Sequence, residues 1–120
     1  MILFKPEMAE KILTGEKTVT RRRWKRPRVK VGSIHQCYTR PAFARPPGKP
    51  FTKIRILDIR HELMPAYDWN GLPELSDMEA KREGFENWEA FARAWTAMHG
   101  KKSENEPCYR VKFEVVEAQV

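Results

Sequence analysis

The chain of 120 residues predicts an α+β fold: a small, mostly antiparallel β-barrel flanked by two or three short helices. Three observations predict it. Four or five segments are β-branched or alternate between apolar and polar residues, as half-buried strands do. Helical stripes separate only some of them, so few connections carry a crossover helix and most strand pairs are expected to be antiparallel. No repeat, low-complexity tract or composition break divides the chain, and residues 1–120 are expected to form a single domain around one core. A half-open barrel sealed by helices would bury the apolar faces of such strands.

Residues 2–4 read as a short buried strand. Pro6 suits the first helical position, where its missing N–H is not needed. Met8, Ala9, Ile12 and Leu13 form one apolar stripe, Glu7 and Lys11 are spaced to pair at i,i+4, and Gly15 is placed to end the helix. Residues 17–22 begin a strand, and residues 23–30 read as an exposed polar loop. After the turn at Val31-Gly32-Ser33, residues 34–38 form another strand. Pro41, Pro46, Pro47, Gly48 and Pro50 mark a stiff loop that cannot join a sheet interior. Residues 51–59 return to strand, and residues 64–75, with Pro65, Asn70-Gly71 and Pro73, read as irregular.

Helical signals follow. Ser76-Asp77-Met78-Glu79 fits a capping box, with Leu75 placed to staple against Ala80 and Gly84 to stop the helix. Asn87 caps a longer helix with Trp88, Phe91, Ala92, Trp95 and Met98 on one face, ended by Gly100. At that spacing an aromatic stripe is core before it is a stacking platform. Residues 108–116 close the chain as a strand with Tyr109, Val111, Phe113 and Val115 on one side.

Charge is unevenly shared. Residues 1–60 hold 16 Lys/Arg against 4 acidic residues, whereas residues 61–120 hold 7 against 12. The cations therefore belong to one part of the fold, and a polyanion is the natural partner. The run Arg21, Arg22, Arg23, Lys25, Arg26, Arg28, Lys30 encloses Trp24, a mix that suits looped or single-stranded RNA. Cys37 and Cys108 lack metal-ligand spacing and are expected to be buried thiols. No apolar run approaches the roughly 20 residues that span a bilayer. With Lys5-Pro6-Glu7 directly after the first apolar residues, no signal peptide is read. A cytoplasmic protein without membrane contact is the expectation. His35, His61 and His99 have no metal-site spacing among themselves, and His99 reads as a residue suited to a helix C-terminus. No Gly-rich phosphate loop, nucleophile elbow or His-Glu-x-x-His motif occurs, so neither metal nor cofactor is expected.

The motif Gly15-x-Lys17-x-x-Thr20-x-Arg22 behind an amphipathic helix resembles the ASCH domain family. The resemblance continues through Ala80-x-x-Glu83-Gly84-Phe85, the aromatic helix and the final Tyr-Val-Phe strand, covering nearly the whole chain. It implies a PUA-like barrel with a cleft for RNA or an RNA-derived nucleoside. In the N4-acetylcytidine amidohydrolases of that family, the catalytic Lys, Thr and Glu would fall on Lys17, Thr20 and Glu83. The basic and proline-rich insertions of this chain depart from that branch and favour a polymeric partner.

The residues themselves leave alternatives open. Thr20 and Arg22 share one face of a strand, and Lys17 joins them only from a bend outside the ladder. If they converge, Arg22 offers a planar fork, and a desolvated Lys17 could activate the Thr20 hydroxyl. Glu83 sits where a helix macrodipole disfavours a carboxylate by about 0.3–1 kcal/mol, which a cationic partner would offset. In one reading the cleft binds, with Arg21, Arg22, Arg23, Trp24, Arg26 and Arg28 contacting ligand. In a second it hydrolyses an amide, with Thr20 attacking, Lys17 as base and Glu83 as the acid that protonates the leaving amine. A third, ribonuclease activity, finds no histidine pair to carry it.

Overall fold

The computed structural model describes residues 1–63, 73–100 and 106–116, with the side chains of residues 63 and 73–76 left aside. Among these residues eight elements follow in order: β1 (Ile2–Leu3), α1 (Pro6–Thr14), β2 (Val19–Arg22), β3 (Ile34–Tyr38), β4 (Pro50–Leu63), α2 (Pro73–Arg82), α3 (Trp88–His99) and β5 (Pro107–Val116). The strands form one sheet in the order β1-β3-β4-β5-β2. Only β1 and β3 pair in parallel; the other three pairs are antiparallel. The sheet curls into a half-barrel. In β4 the register against β5 shifts between Ile56 and Asp58, so Leu57 is an extra residue that steepens the twist.

The period-2 pattern of β5 divides its side chains between two layers. Val111 and Phe113 enter the larger core with Ile2, Phe4, Ile12, Ile54 and Ile56, against which Tyr109 packs. Cys108 and Arg110 point the other way, Cys108 into a second cluster with Ala80, Trp88, Phe91 and Trp95. One strand thus joins the barrel interior to the α2–α3 layer. Truncating Phe113, which is fully buried, would cost about 3–5 kcal/mol.

Several local signals act as expected. Pro6 opens α1, and Gly15 closes it at φ 83°, a left-handed conformation that glycine adopts without penalty. Asn87 caps α3, its side-chain oxygen accepting from the Ala90 N–H. Cys37 and Cys108 are free and buried, and burial pushes their thiols up to about 11 and about 12.

Other expectations are corrected. Leu13 is more than half exposed because α1 turns only Ala9 and Ile12 fully inward. Lys11 does not pair with Glu7; its ammonium donates to the Gly84 carbonyl across the fold. Pro50 begins β4, tolerated at a strand's first residue, and β4 runs on to Leu63. α2 begins at Pro73, so Ser76 lies inside the helix and no capping box forms there. Asp77 instead accepts from the Trp88 N–H at 2.9 Å and ties α2 to α3. The Leu75 staple, Pro65 and the Asn70-Gly71 turn fall outside the described residues or side chains.

Candidate functional site

β1 and β2 end the sheet on opposite edges, and the curl brings those edges face to face. Arg22 bridges them: Nη2 donates to the Leu3 carbonyl at 2.7 Å, and the guanidinium lies 4.8 Å from the centre of the Phe4 ring. A cleft of about 570 Å³ opens at this gap. Its floor carries Lys17, Thr20, Arg22 and Glu83, and α3 supplies a wall containing Phe91 and Trp95.

Each side chain arrives for a local reason. Lys17 precedes the first residue of β2, so strand alternation does not bind it. Its backbone N–H donates to the Lys11 carbonyl at 3.0 Å, and the Thr18 N–H donates to the Arg82 carbonyl at 2.8 Å. These two bonds pin the corner against α1 and the end of α2. Lys17 then donates from Nζ to the Glu83 carbonyl at 2.6 Å and to Glu83 Oε1 at 3.1 Å. Gly84 makes the approach possible: it sits at φ 95°, and a Cβ there would lie 3.0 Å from Met8 Sδ and 3.5 Å from Lys17 Cβ.

Thr20 and Arg22 share a strand face, and Arg22 Nε donates to Thr20 Oγ1 at 3.1 Å. Since that oxygen accepts, the hydroxyl hydrogen remains for a base. Lys17 and Thr20 line the same cleft without a direct hydrogen bond between them; the lysine is turned to Glu83. Burial holds the Lys17 ammonium below the usual lysine range; Glu83 opposes this, and Arg22 and Arg21 add to it. Burial likewise lowers Arg22, with Glu83 opposing.

Arg21 alternates to the other side of the strand, still borders the cleft, and enters a buried carboxylate network. Its Nε, Nη1 and Nη2 donate to Glu62, Glu83 and Glu79 respectively, each at 2.8 Å. Arg110 is its register partner on β5, which sets two guanidinium groups side by side, a repulsive pairing on a bare sheet. Glu79 resolves it, because Oε1 accepts from both arginines while Oε2 accepts from Arg82 at 3.0 Å. Burial alone would raise the Glu79 carboxyl, but hydrogen bonds and charge from Arg110 and Arg21 hold it at about 2.

The remaining sequence candidates are dispersed. Arg23 lines the cleft and pairs with Glu106. Trp24 is half-buried against the larger core, 6.5 Å from the Tyr109 ring, and does not line the cleft. Arg26 and Arg28 are exposed outside it. His61 stacks on Tyr109 at 4.6 Å. His99 lines the cleft beside Trp95, and burial followed by Arg23 lowers it, so the cation expected at a helix end is disfavoured. Sequence reasoning missed Glu79, Glu62 and Arg110. The available signal was the i,i+4 spacing of Glu79 and Glu83, which places both carboxylates on one helix face.

No family model matches the chain, and no curated protein matches it in sequence. Solved structures match it in fold. Hypothetical protein PH0355 superposes with a TM-score of 0.67 at 16% identity, over 96% of this chain and 96% of that one. An ASCH protein from Zymomonas mobilis gives 0.54 at 20% identity, over 94% of this chain and 66% of its own. An ASCH domain from Lactobacillus crispatus gives 0.54 at 18% identity, over 89% and 69%. At such identities the likeness is one of fold, and the fold is shared with ASCH domains.

Proposed function

We propose that this chain is an ASCH-type protein whose cleft takes up a nucleobase-bearing ligand, either a modified nucleoside or a nucleotide of RNA. The observation that carries this reading is the pairing of an aromatic wall, Phe91 and Trp95, with Arg22 in one cleft. Arg22 has no carboxylate partner among the described residues and keeps N–H donors beyond those given to Thr20 and Leu3. A base needs a π-face, and a carbonyl or phosphate needs a planar fork. The exposed Arg26 and Arg28 would add backbone contacts in a longer RNA. Calorimetry with N4-acetylcytidine and a short single-stranded RNA tests it. Arg22→Gln should weaken binding by about 10-fold or more, the worth of a charge-assisted hydrogen bond; unchanged affinity would count against the reading.

A second reading, metal-free amide hydrolysis, is favoured by one further observation: a lysine with a lowered proton affinity shares the cleft with a threonine whose oxygen already accepts from Arg22. In that reaction a neutral Lys17 takes the Thr20 proton as Oγ1 attacks the acetyl carbonyl. Arg22 stabilises the charge on the threonine oxygen. The proton then passes to the departing base amine, and water releases acetate from the acyl-threonine. Glu83 serves by holding Lys17, since Oε1 accepts from Lys17 and Oε2 from Arg21. Acetate release from N4-acetylcytidine is the test. Loss of the base should slow it by about 10²–10⁴-fold in Lys17→Ala, and an inactive wild-type protein would remove this reading while leaving binding intact.

A further inference from the structure

We propose that Arg21, though it does not reach into the chemistry, is the positioning residue that frees Lys17 to act as a base, because it replaces Lys17 as the counter-ion of Glu83. The inference rests on the amide-hydrolysis reading and assigns a task to a residue lying between the two motif members Thr20 and Arg22.

The geometry is specific. Arg21 holds Glu83 Oε2 at 2.8 Å, closer than the 3.1 Å between Lys17 Nζ and Oε1. The shorter bond of Lys17, at 2.6 Å, goes to the Glu83 backbone carbonyl, a neutral acceptor. A neutral amine can still donate to that carbonyl, so the contact survives loss of the proton. Arg21 is held in place by its bonds to Glu62 and Glu79, and Glu79 is gripped in turn by Arg110 and Arg82.

The charged groups around Lys17 come from three elements. β2 contributes Arg21 and Arg22; the end of α2 contributes Glu83, with Glu79 behind it. From α1, Lys11 donates to the neighbouring Gly84 carbonyl, and Glu7 stands on the cleft wall. Among the described residues of the network, three guanidinium groups (Arg21, Arg82, Arg110) face three carboxylates (Glu62, Glu79, Glu83). These three pairs already neutralise one another, and with Arg22 beside them an ammonium on Lys17 would add excess positive charge in a buried place, unless Glu83 lost its Arg21 partner. Removing Arg21 makes Lys17 the cation left on Glu83 and favours its protonated form.

The test is direct titration of the Lys17 amine by NMR in the full chain carrying ¹³C-labelled lysine, with Lys17→Arg identifying the signal. Arg21→Gln should move the Lys17 midpoint upward. The double variant Arg21→Gln/Glu79→Gln removes one cation and one anion together, keeps the network's charge count and should show the same upward move. The pH at which acetate release from N4-acetylcytidine turns on should rise with it, a change that a purely structural role would not cause. A rise in the midpoint with no acetate release by the wild-type protein would uphold Arg21 as the counter-ion that replaces Lys17 on Glu83 and discard hydrolysis. Acetate release with an unmoved midpoint in the folded double variant would overturn the inference and leave hydrolysis standing.

Discussion

The corner between α1 and β2 and the loop that follows it hold similar side chains in opposite states. At the corner, Lys17 and Arg21 are buried, Lys17 donating to the Glu83 carbonyl and carboxylate and Arg21 to the carboxylates of Glu62, Glu79 and Glu83. A few residues on, Lys25, Arg26 and Arg28 stand in solvent. Both sets belong to one cationic stretch, yet only the first meets the acidic face of α2. A buried charge must be neutralised and hydrogen-bonded, which fixes geometry; an exposed one is screened and stays available to a polyanion. Position relative to α2, rather than residue type, separates a cation that builds the cleft from one left in solvent.

The comparison can be broken most sharply at Glu79. Glu79→Ala leaves Arg21 and Arg110 facing each other without their shared acceptor and should destabilise the fold by about 3–5 kcal/mol in urea unfolding. Arg26→Ala should stay within about 0.5 kcal/mol under the same assay. If the two losses were equal, the distinction between the regions would fail.

Acid sharpens it next. The Glu79 carboxyl lies at about 2 in the folded protein against 4.5 when unperturbed, so its stabilisation is complete above pH 4.5 and is lost as pH falls toward 2. The loss should be on the order of 3 kcal/mol and should vanish in Glu79→Gln. Urea midpoints collected across that window would show it.

On the loop, the expected signature is salt rather than stability. Arg26→Ala with Arg28→Ala should lower the slope of log affinity against log salt for single-stranded RNA by about 1–2, with the fold unchanged. An unaltered slope would mean that the loop does not meet the backbone. The smallest effect belongs to Arg23, which stands between the two regions. Its half-exposed pair with Glu106 should contribute about 0.2–1 kcal/mol, as a double-mutant cycle would measure, and less in high salt.

Much of the fold was legible because it is written in short periods. Strand alternation, the Ala9–Ile12 stripe, the glycine after α1 and the Asn87 cap each depend on residues within a few positions of one another. The failures have the same origin. Ser76 to Glu79 satisfies a capping pattern locally, but the helix starts at Pro73, and Glu79 turns to arginines 31 and 58 positions away. Lys11 matched an i,i+4 partner in Glu7 and took a carbonyl 73 positions away instead. In each case a distant partner, invisible to spacing, offered burial or a better acceptor.

By itself, the order of residues determined where strands and helices form, that Gly15 bends the chain before Lys17, and that Thr20 and Arg22 share a face. Those outcomes follow from backbone geometry and side-chain periodicity, which act over a turn or a strand. Only the tertiary structure decided that α2 lays Glu79 and Glu83 across β2 and β5, that Arg21 is locked onto three carboxylates while Arg22 keeps donors for the cleft, and that the curled sheet leaves a gap between its edges. Charges separated by dozens of residues interact through space and through the water that folding removes, and neither quantity exists until the chain has closed.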